Sequence, residues 1–386
     1  YIDFVSIFRD LPALEANLLH RKSDLGFNYV IKCWQTYKEI EIKKKYLEEH
    51  REQLANDIRK GTFKAQELPT AKLKAVALRE DLKKLKASTH DTVNTFLETF
   101  LAIPNELDAR TPIDDTKQFF SYLDKPLRSK DTPTSEPHIE RYSDCIQYMR
   151  KDSALFDTFL PINCIEYFQK HGFIVSSNPD FIRSSLVKAI GDDQKLFNIK
   201  EEEHSLDKHF KMKLCGGSSL YGYLGYFAHR QVFPTAFPIK LITSGKRYFT
   251  NKNHSNSNHI LIATNDSNVE NELMKVLEQT MAYFKQFNLH FRCSYVPAFE
   301  LENYESLRIN FEMFSNNLNR YLRVGQIGYY RDYISKRILF NYRLENQYCF
   351  PHLISGTILD TSQLIRILSE NGIQFKDSFL SKYIQC

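Results

Sequence analysis

The chain has 386 residues, 42% of them hydrophobic and 26% charged, which is more than one hydrophobic core usually organises and excludes a minimal scaffold or a disordered polyelectrolyte. No apolar run approaches the roughly 20 residues of a bilayer crossing, so no membrane association is expected. Lys and Arg number 52 against 47 Asp and Glu, a net +5, a bias that permits an anionic partner without requiring one.

From Val30 to Ile103 Pro and Gly are scarce and Lys, Glu, Leu and Ala dominate, with one interruption near Gly61 to Pro69. The run predicts two long helices joined at a tip. In the second, Ala71, Ala75, Leu78, Leu82, Leu85 and Thr89 are spaced 4, 3, 4, 3, 4, the 3.5-residue period of a coiled-coil seam. Ile40, Leu47 and Leu54 give the first a weaker seven-residue repeat. So short a connection makes the pair antiparallel, an arm on the order of 40 Å long, which Pro104 closes. The spacing gives an N-terminal helical domain over 1–106, and a stretch rich in Pro, Thr, Asp and Ser over 107–137 reads as a linker. The remainder, 138–386, mixes a helix over Val269 to Phe287 with β-rich runs at Ile239 to Ile242, Ile260 to Ala263 and Leu339 to Tyr342. Without regular βαβ alternation, a G-x-G-x-x-G or a Walker A loop, the expected class is α+β, an antiparallel sheet flanked by helices behind a helical arm.

Between Lys38 and Lys86 there are 14 Lys and Arg against 9 Asp and Glu, a difference of +5 that equals the whole chain's. Lys72, Arg79, Lys83 and Lys86 each follow a seam position by one residue and so line one flank, while Arg59, Lys60 and Lys64 crowd the tip. Such a flank can follow a phosphate backbone through Coulomb attraction and counterion release, or it can simply be a solvated coiled-coil face. A second anomaly is the run from Lys208 to Asn265, 58 residues with eight Lys and Arg and no Asp or Glu. No residue there can act as a carboxylate base or a magnesium ligand.

Seven Cys stand singly, with neither a C-x-x-C pair nor a Cys/His ligand spacing; this fits a reducing compartment and indicates no zinc site. Glu201-Glu202-Glu203-His204 with His209 reads as a solvated acidic turn rather than a metal cluster. Tyr1 stands where an initiator Met would, so the original N-terminus is expected to be missing, and any targeting peptide with it.

Several stretches carry a resemblance. Asp10 to Leu19, Ile103-Pro104-Asn105 at the end of the arm, Gly172-Phe173 with Pro179, Gly225-Tyr226-Phe227, Asp332-Tyr333 leading to Lys336-Arg337, and Ser355-Gly356-Thr357 with Glu370 together resemble seryl-tRNA synthetases, class II aminoacyl-tRNA synthetases, over nearly the full length. The resemblance implies an adenylating site in which carboxylates hold an ammonium and magnesium while arginines neutralise phosphates. Here those groups are largely replaced. The Thr-x-Glu that receives the amino acid falls within Gly216 to Leu220, where Ser218 and Ser219 stand and no glutamate does. Arg247 matches the α-phosphate arginine, free either to meet a phosphate or to pair with a neighbour. Two positions on, the family's glutamate is Phe249, and the following loop, Asn251 to Asn258, is shortened. The metal-binding glutamate is Gln326, and the class-defining arginine is Gln363.

This pattern is similar to that of catalytically degenerate insect mitochondrial paralogues of the enzyme. It implies a protein without catalytic residues, metal or cofactor, located in the mitochondrial matrix. Its implied partners are an active mitochondrial seryl-tRNA synthetase, joined as a heterodimer, and mitochondrial tRNA(Ser). The alternatives are an enzyme of altered specificity that activates another small acid, or an active seryl-tRNA synthetase.

Overall fold

A computed structural model describes residues 2–64, 66–124, 139–143, 146–191, 196–199, 211–249 and 252–384. In chain order its helices are α1 (Phe4–Ile7), α2 (Leu11–His20), α3 (Phe27–Arg59), α4 (Leu68–Leu101), α5 (Asp152–Gln169), α6 (Ser184–Ala189), α7 (Leu220–Phe227), α8 (Val269–Lys285), α9 (Tyr333–Ile338) and α10 (Thr361–Glu370). The strands are β1 (Lys117–Tyr122), β2 (Ile139–Ser143), β3 (Ile146–Met149), β4 (Ile174–Val175), β5 (Phe181–Arg183), β6 (Phe197–Asn198), β7 (Met212–Leu214), β8 (Gln231–Val232), β9 (Ile239–Phe249), β10 (Lys252–Thr264), β11 (Phe291–Tyr295), β12 (Leu307–Ser315), β13 (Arg320–Tyr329), β14 (Asn341–Leu344), β15 (Gln347–Cys349) and β16 (His352–Asp360). Two compact units result: 23–103, and 1–22 together with 104–386.

The first unit is the helical pair. Trp34 and Tyr37 near the start of α3 meet Phe100 at the end of α4 edge-on, and Lys86 reaches Glu48 at 3.2 Å, so the helices are antiparallel. The six seam positions of α4 are buried or half-buried, Ala71 and Leu82 most fully, while their neighbours are exposed. At about 1.5 Å per residue the 33 residues of α3 span about 50 Å, somewhat more than the sequence suggests, because the helix starts at Phe27.

In the second unit the described residues form an eight-stranded sheet in the order β1-β11-β12-β13-β16-β10-β9-β4. Its ladders are antiparallel except that of β4 with β9. Side chains alternate between the faces of a strand, and the core divides accordingly. Ile242, Ile260, Ile262 and Ile354 join one cluster with residues of α5, α8 and α10, whereas Leu241, Leu261, Ala263 and Leu353 join another with residues of α6, α7 and α9. Beside the large sheet, β15-β14-β8 make a small one.

Three boundaries differ from the sequence reading. Residues 1–22 group with the sheet unit rather than with the arm. The cause is polar: the Arg21 guanidinium donates to the carbonyls of Asn105 at 2.8 Å, Glu302 at 3.1 Å and Glu305 at 2.5 Å, and Asn17 Nδ2 donates to the Asn105 carbonyl at 3.1 Å. The stretch read as a linker supplies β1, which pairs with β11 through Phe120 and Tyr122 on Cys293 and Phe291; its Pro and Asp content masked a six-residue edge strand. The strand read from Leu339 begins instead at Asn341, since Leu339 takes a left-handed conformation (φ 58°) and ends α9.

Candidate functional site

The sheet face opposite α5, α8 and α10 carries most of the residues expected to mark the altered site. Arg247 on β9 donates through Nη1 to Thr357 Oγ1 at 2.6 Å, and its Nη2 lies 3.5 Å from Asp360 Oδ2. Asp360 also caps α10, its Oδ1 accepting from Ser362 Oγ at 2.9 Å and from the Gln363 amide at 3.4 Å. One carboxylate therefore joins Arg247 to the helix start where Gln363 sits. Burial lowers the Arg247 pKa, and the Asp360 charge offsets part of that.

The bonding continues through His259. Its Nε2 is 2.9 Å from Ser355 Oγ and its Nδ1 3.2 Å from Thr357 Oγ1. The Ser355 hydroxyl donates to the Ile260 carbonyl at 2.6 Å, so it accepts from His259, which places the imidazole proton on Nε2. Nδ1 then accepts from Thr357, whose oxygen accepts from Arg247. The ring is held neutral: burial first, and the Arg247 charge second, pull its pKa down to about 3.

Ser218 and Ser219 are buried with their protons in use. Ser218 Oγ donates to the Ser257 carbonyl and Ser219 Oγ to the Gly216 carbonyl, each at 2.7 Å. Their loop is pinned by Asp180, whose carbonyl accepts from Cys215 and Gly216 and whose Oδ1 accepts from the Gly217 amide at 2.7 Å. Gly216 has φ +85°, and a Cβ there would fall on the Lys246 carbonyl oxygen, so only glycine fits.

Gln326 on β13 stands opposite Asn310 on β12, and the side-chain carbonyl oxygens of both are buried without a hydrogen-bond partner. On the same strand Arg323 has its pKa lowered to about 10, by burial first and by the charges of Arg308 and Arg247 next. Two neutral amides in a field of arginines do not fit a hard divalent cation, which selects anionic oxygen. Glu305 is held by Arg308 at 2.5 Å and Glu312 by Arg292 at 2.8 Å, while Glu370 accepts from Ser315 Oγ at 2.9 Å. No group of three or more His, Cys, Asp or Glu side chains able to hold a metal occurs among the described residues. The side chain of Phe249 and the Glu201 to His209 segment lie outside the described residues.

Sequence reasoning singled out Ser218, Ser219, Arg247, Gln326 and Gln363, and the fold brings the Arg247 guanidinium and the Gln363 amide onto one carboxylate. It missed Asp360, Asn310 and His259. An Asp preceding Thr-Ser-Gln is a helix-cap signal that could have singled out Asp360; Asn310 and His259 lie in strands whose partners no local pattern reveals.

On the arm, Lys72, Arg79 and Lys83 are exposed along α4, and Arg59, Lys60 and Lys64 are exposed about the tip. Lys86 differs in being paired with Glu48.

No family model matches. The serine–tRNA synthetase-like protein Slimp of Drosophila melanogaster is 29% identical over 98% of this chain and 86% of that protein. The fold matches seryl-tRNA synthetase of Pyrococcus horikoshii, solved with ATP, at a TM-score of 0.81 with 11% identity, over 96% of this chain and 94% of that one. It also matches the cytoplasmic serine-tRNA ligase of Naegleria fowleri, solved with AMP, at 0.74 with 13% identity, over 94% and 90%. In sequence along nearly its whole length, and in fold, the chain is seryl-tRNA synthetase-like.

Proposed function

We propose that this chain is a non-catalytic seryl-tRNA synthetase paralogue of the mitochondrial matrix. It pairs with an active mitochondrial seryl-tRNA synthetase, stabilises it, and contributes binding of mitochondrial tRNA(Ser) through its basic arm. The observation that carries the reading is the engagement of Arg247 by Asp360 and Thr357 beside an amide pair, Asn310 and Gln326, where a phosphate and metal site needs carboxylates. Each transition-state charge contact is typically worth about 10²- to 10³-fold in rate, so losing several removes adenylation altogether. An edge suited to a partner supports the pairing: β4 borders the large sheet, and Ile174 and Val175 on it, with Phe181 nearby in sequence, are exposed large hydrophobics. They follow the Gly172-Phe173 stretch that resembles the family's dimer-forming motif.

The test mixes the purified chain with the active enzyme. The expected result is a 1:1 heterodimer by native mass spectrometry, improved serylation, and ATP-pyrophosphate exchange by the chain alone at background with every amino acid tried. Exchange above background with any acid favours the altered-specificity enzyme instead, and an exclusive homodimer without effect on serylation removes the pairing.

A further inference from the structure

Four arginines reach the sheet face that carries the altered site, and three of them are neutralised from within. Asp360 lies against Arg247 at 3.5 Å, Glu305 against Arg308 at 2.5 Å and Glu312 against Arg292 at 2.8 Å. Arg323 is the fourth. Paired residues share a face of a sheet, so Arg292, Glu312 and Arg323 form one row across β11, β12 and β13, and Ser294, Asn310 and Gln326 form the next. The alternate residues Phe311, Met313 and Val324 turn into the core. Among the described residues no hydrogen bond or ion pair reaches the Arg323 guanidinium. The carboxylates near enough to act on it, Asp360 and Glu305, are already held by other arginines.

Arg323 is half-buried, yet its unbonded nitrogens keep solvent-accessible surface. The amides beside it are turned the same way. Asn310 Oδ1 and Gln326 Oε1 are sealed inside, whereas Nδ2 and Nε2, equally unbonded, remain accessible. The open side of these rows therefore presents donors from three side chains and one uncompensated positive charge, in the field of Arg247 and Arg308. A charge drawn partly out of water with no partner is costly, and an anion from outside removes that cost. Guanidinium forks match carboxylate and phosphate alike. The phosphoryl group fits better, because it brings three acceptor oxygens to three donor groups and close to two negative charges to a face of like-charged arginines.

We infer that Arg323, with the amide nitrogens of Asn310 and Gln326, forms a metal-free seat for the phosphoryl group of a small molecule. The guanidinium supplies the positive charge that a divalent cation supplies where carboxylates line such a site. The inference rests on the reading of this site as non-adenylating, and gives it a ligand without a reaction. Inorganic phosphate and a phosphate ester offer the same chemistry to the seat.

The test follows the melting of the full chain, and titration calorimetry, with inorganic phosphate, glycerol phosphate, AMP and acetate at matched ionic strength, each in EDTA and in excess magnesium. At about a hundredfold excess over Kd the phosphoryl compounds should raise the parent's melting temperature by roughly 3–6 °C, in EDTA as in magnesium. Arg323→Met should weaken phosphate binding roughly ten- to hundredfold, the range for bonds to a charged group. It should melt at or above the parent when no anion is present, since it removes an unpaired charge. Gln326→Glu, of the same shape, gives Arg323 an internal carboxylate; it should weaken phosphate binding comparably and also raise the melting temperature. Esters binding more tightly than inorganic phosphate identify an organic phosphate as the ligand, and the reverse order identifies the free ion. Absence of binding at millimolar phosphate, binding that requires magnesium, or binding indifferent to both variants overturns the inference. So does acetate acting as strongly as phosphate, or an Arg323→Met chain that melts well below the parent without anion, which makes the guanidinium a structural group. Pyrophosphate exchange above background removes the non-adenylating reading, whereas phosphate binding that ignores these variants removes only the seat.

Discussion

The arm and the sheet face both carry arginines and lysines, yet their charges are in opposite situations. On α4 the cations at 72, 79 and 83 stand in water on a helix whose buried contacts are confined to one narrow seam. On the sheet, Arg247 and Arg308 are each closed against a carboxylate of the same chain. An exposed cation with no internal partner can be offered to another molecule, and its attraction scales with salt. A buried cation with an internal partner holds the fold, and taking it away leaves an unpaired charge. Net charge counts the two alike, whereas burial separates them.

The comparison is sharpened first by reversing the arm. Lys72→Glu, Arg79→Glu and Lys83→Glu together should weaken tRNA binding roughly 100- to 500-fold in 0.1 M salt and lower the slope of log affinity against log salt by about two to three, the loss expected for three phosphate contacts. Thermal stability should stay within about 0.5 kcal/mol, as for surface changes away from caps and cores. Filter binding over a salt series checks both; an unchanged slope would mean that the flank is only solvated.

A smaller effect is expected from Arg247→Met. Asp360 keeps its bonds to Ser362 and Gln363, so the cost is about 1–3 kcal/mol rather than the full penalty of an isolated buried charge. Urea unfolding measures it. If stability rose while tRNA binding fell, the residue would belong with the arm's cations instead.

A third effect is spread along the pH axis. The folded pKa of His259 is depressed to about 3, below the unfolded value near 6.5, so the unfolded chain binds the extra proton. The contribution is fully present above about pH 6.5 and is lost as pH falls toward 3, by up to about 1.4 kcal/mol per pH unit. His259→Asn removes that slope. Parallel stability curves of parent and variant between pH 6.5 and 4.5 would show that the ring does titrate in the fold.

The two regions also differ in how far they could be read in advance. A coiled coil declares itself locally, because the period of 3.5 is a property of neighbouring residues; all six seam positions of α4 follow it. The antiparallel α+β class follows from short β-rich runs without βαβ alternation, and the fold matches. The edge strand β1 was hidden by Pro and Asp around it, because its pairing with β11 joins residues 169 to 178 positions apart. At the candidate site, resemblance supplied the register that singles out Gln326 and Gln363. The partner of Gln326 was not legible, since Asn310 reaches it only through the β12–β13 ladder. Asp360 shows a mixed case: the cap is written in four consecutive residues, whereas the guanidinium it also serves comes from 113 residues earlier.

The bonds that tie Arg21 and Asn17 to Asn105 bring the two roots of the helical hairpin together at a single clasp. The chain leaves the sheet unit after residue 22 and re-enters at 104, so the hairpin is an insertion within one continuous unit. Lengthening or shortening it by whole heptads, in step on both helices, disturbs neither the clasp nor any strand register. Its length can therefore change without altering the unit into which it is inserted.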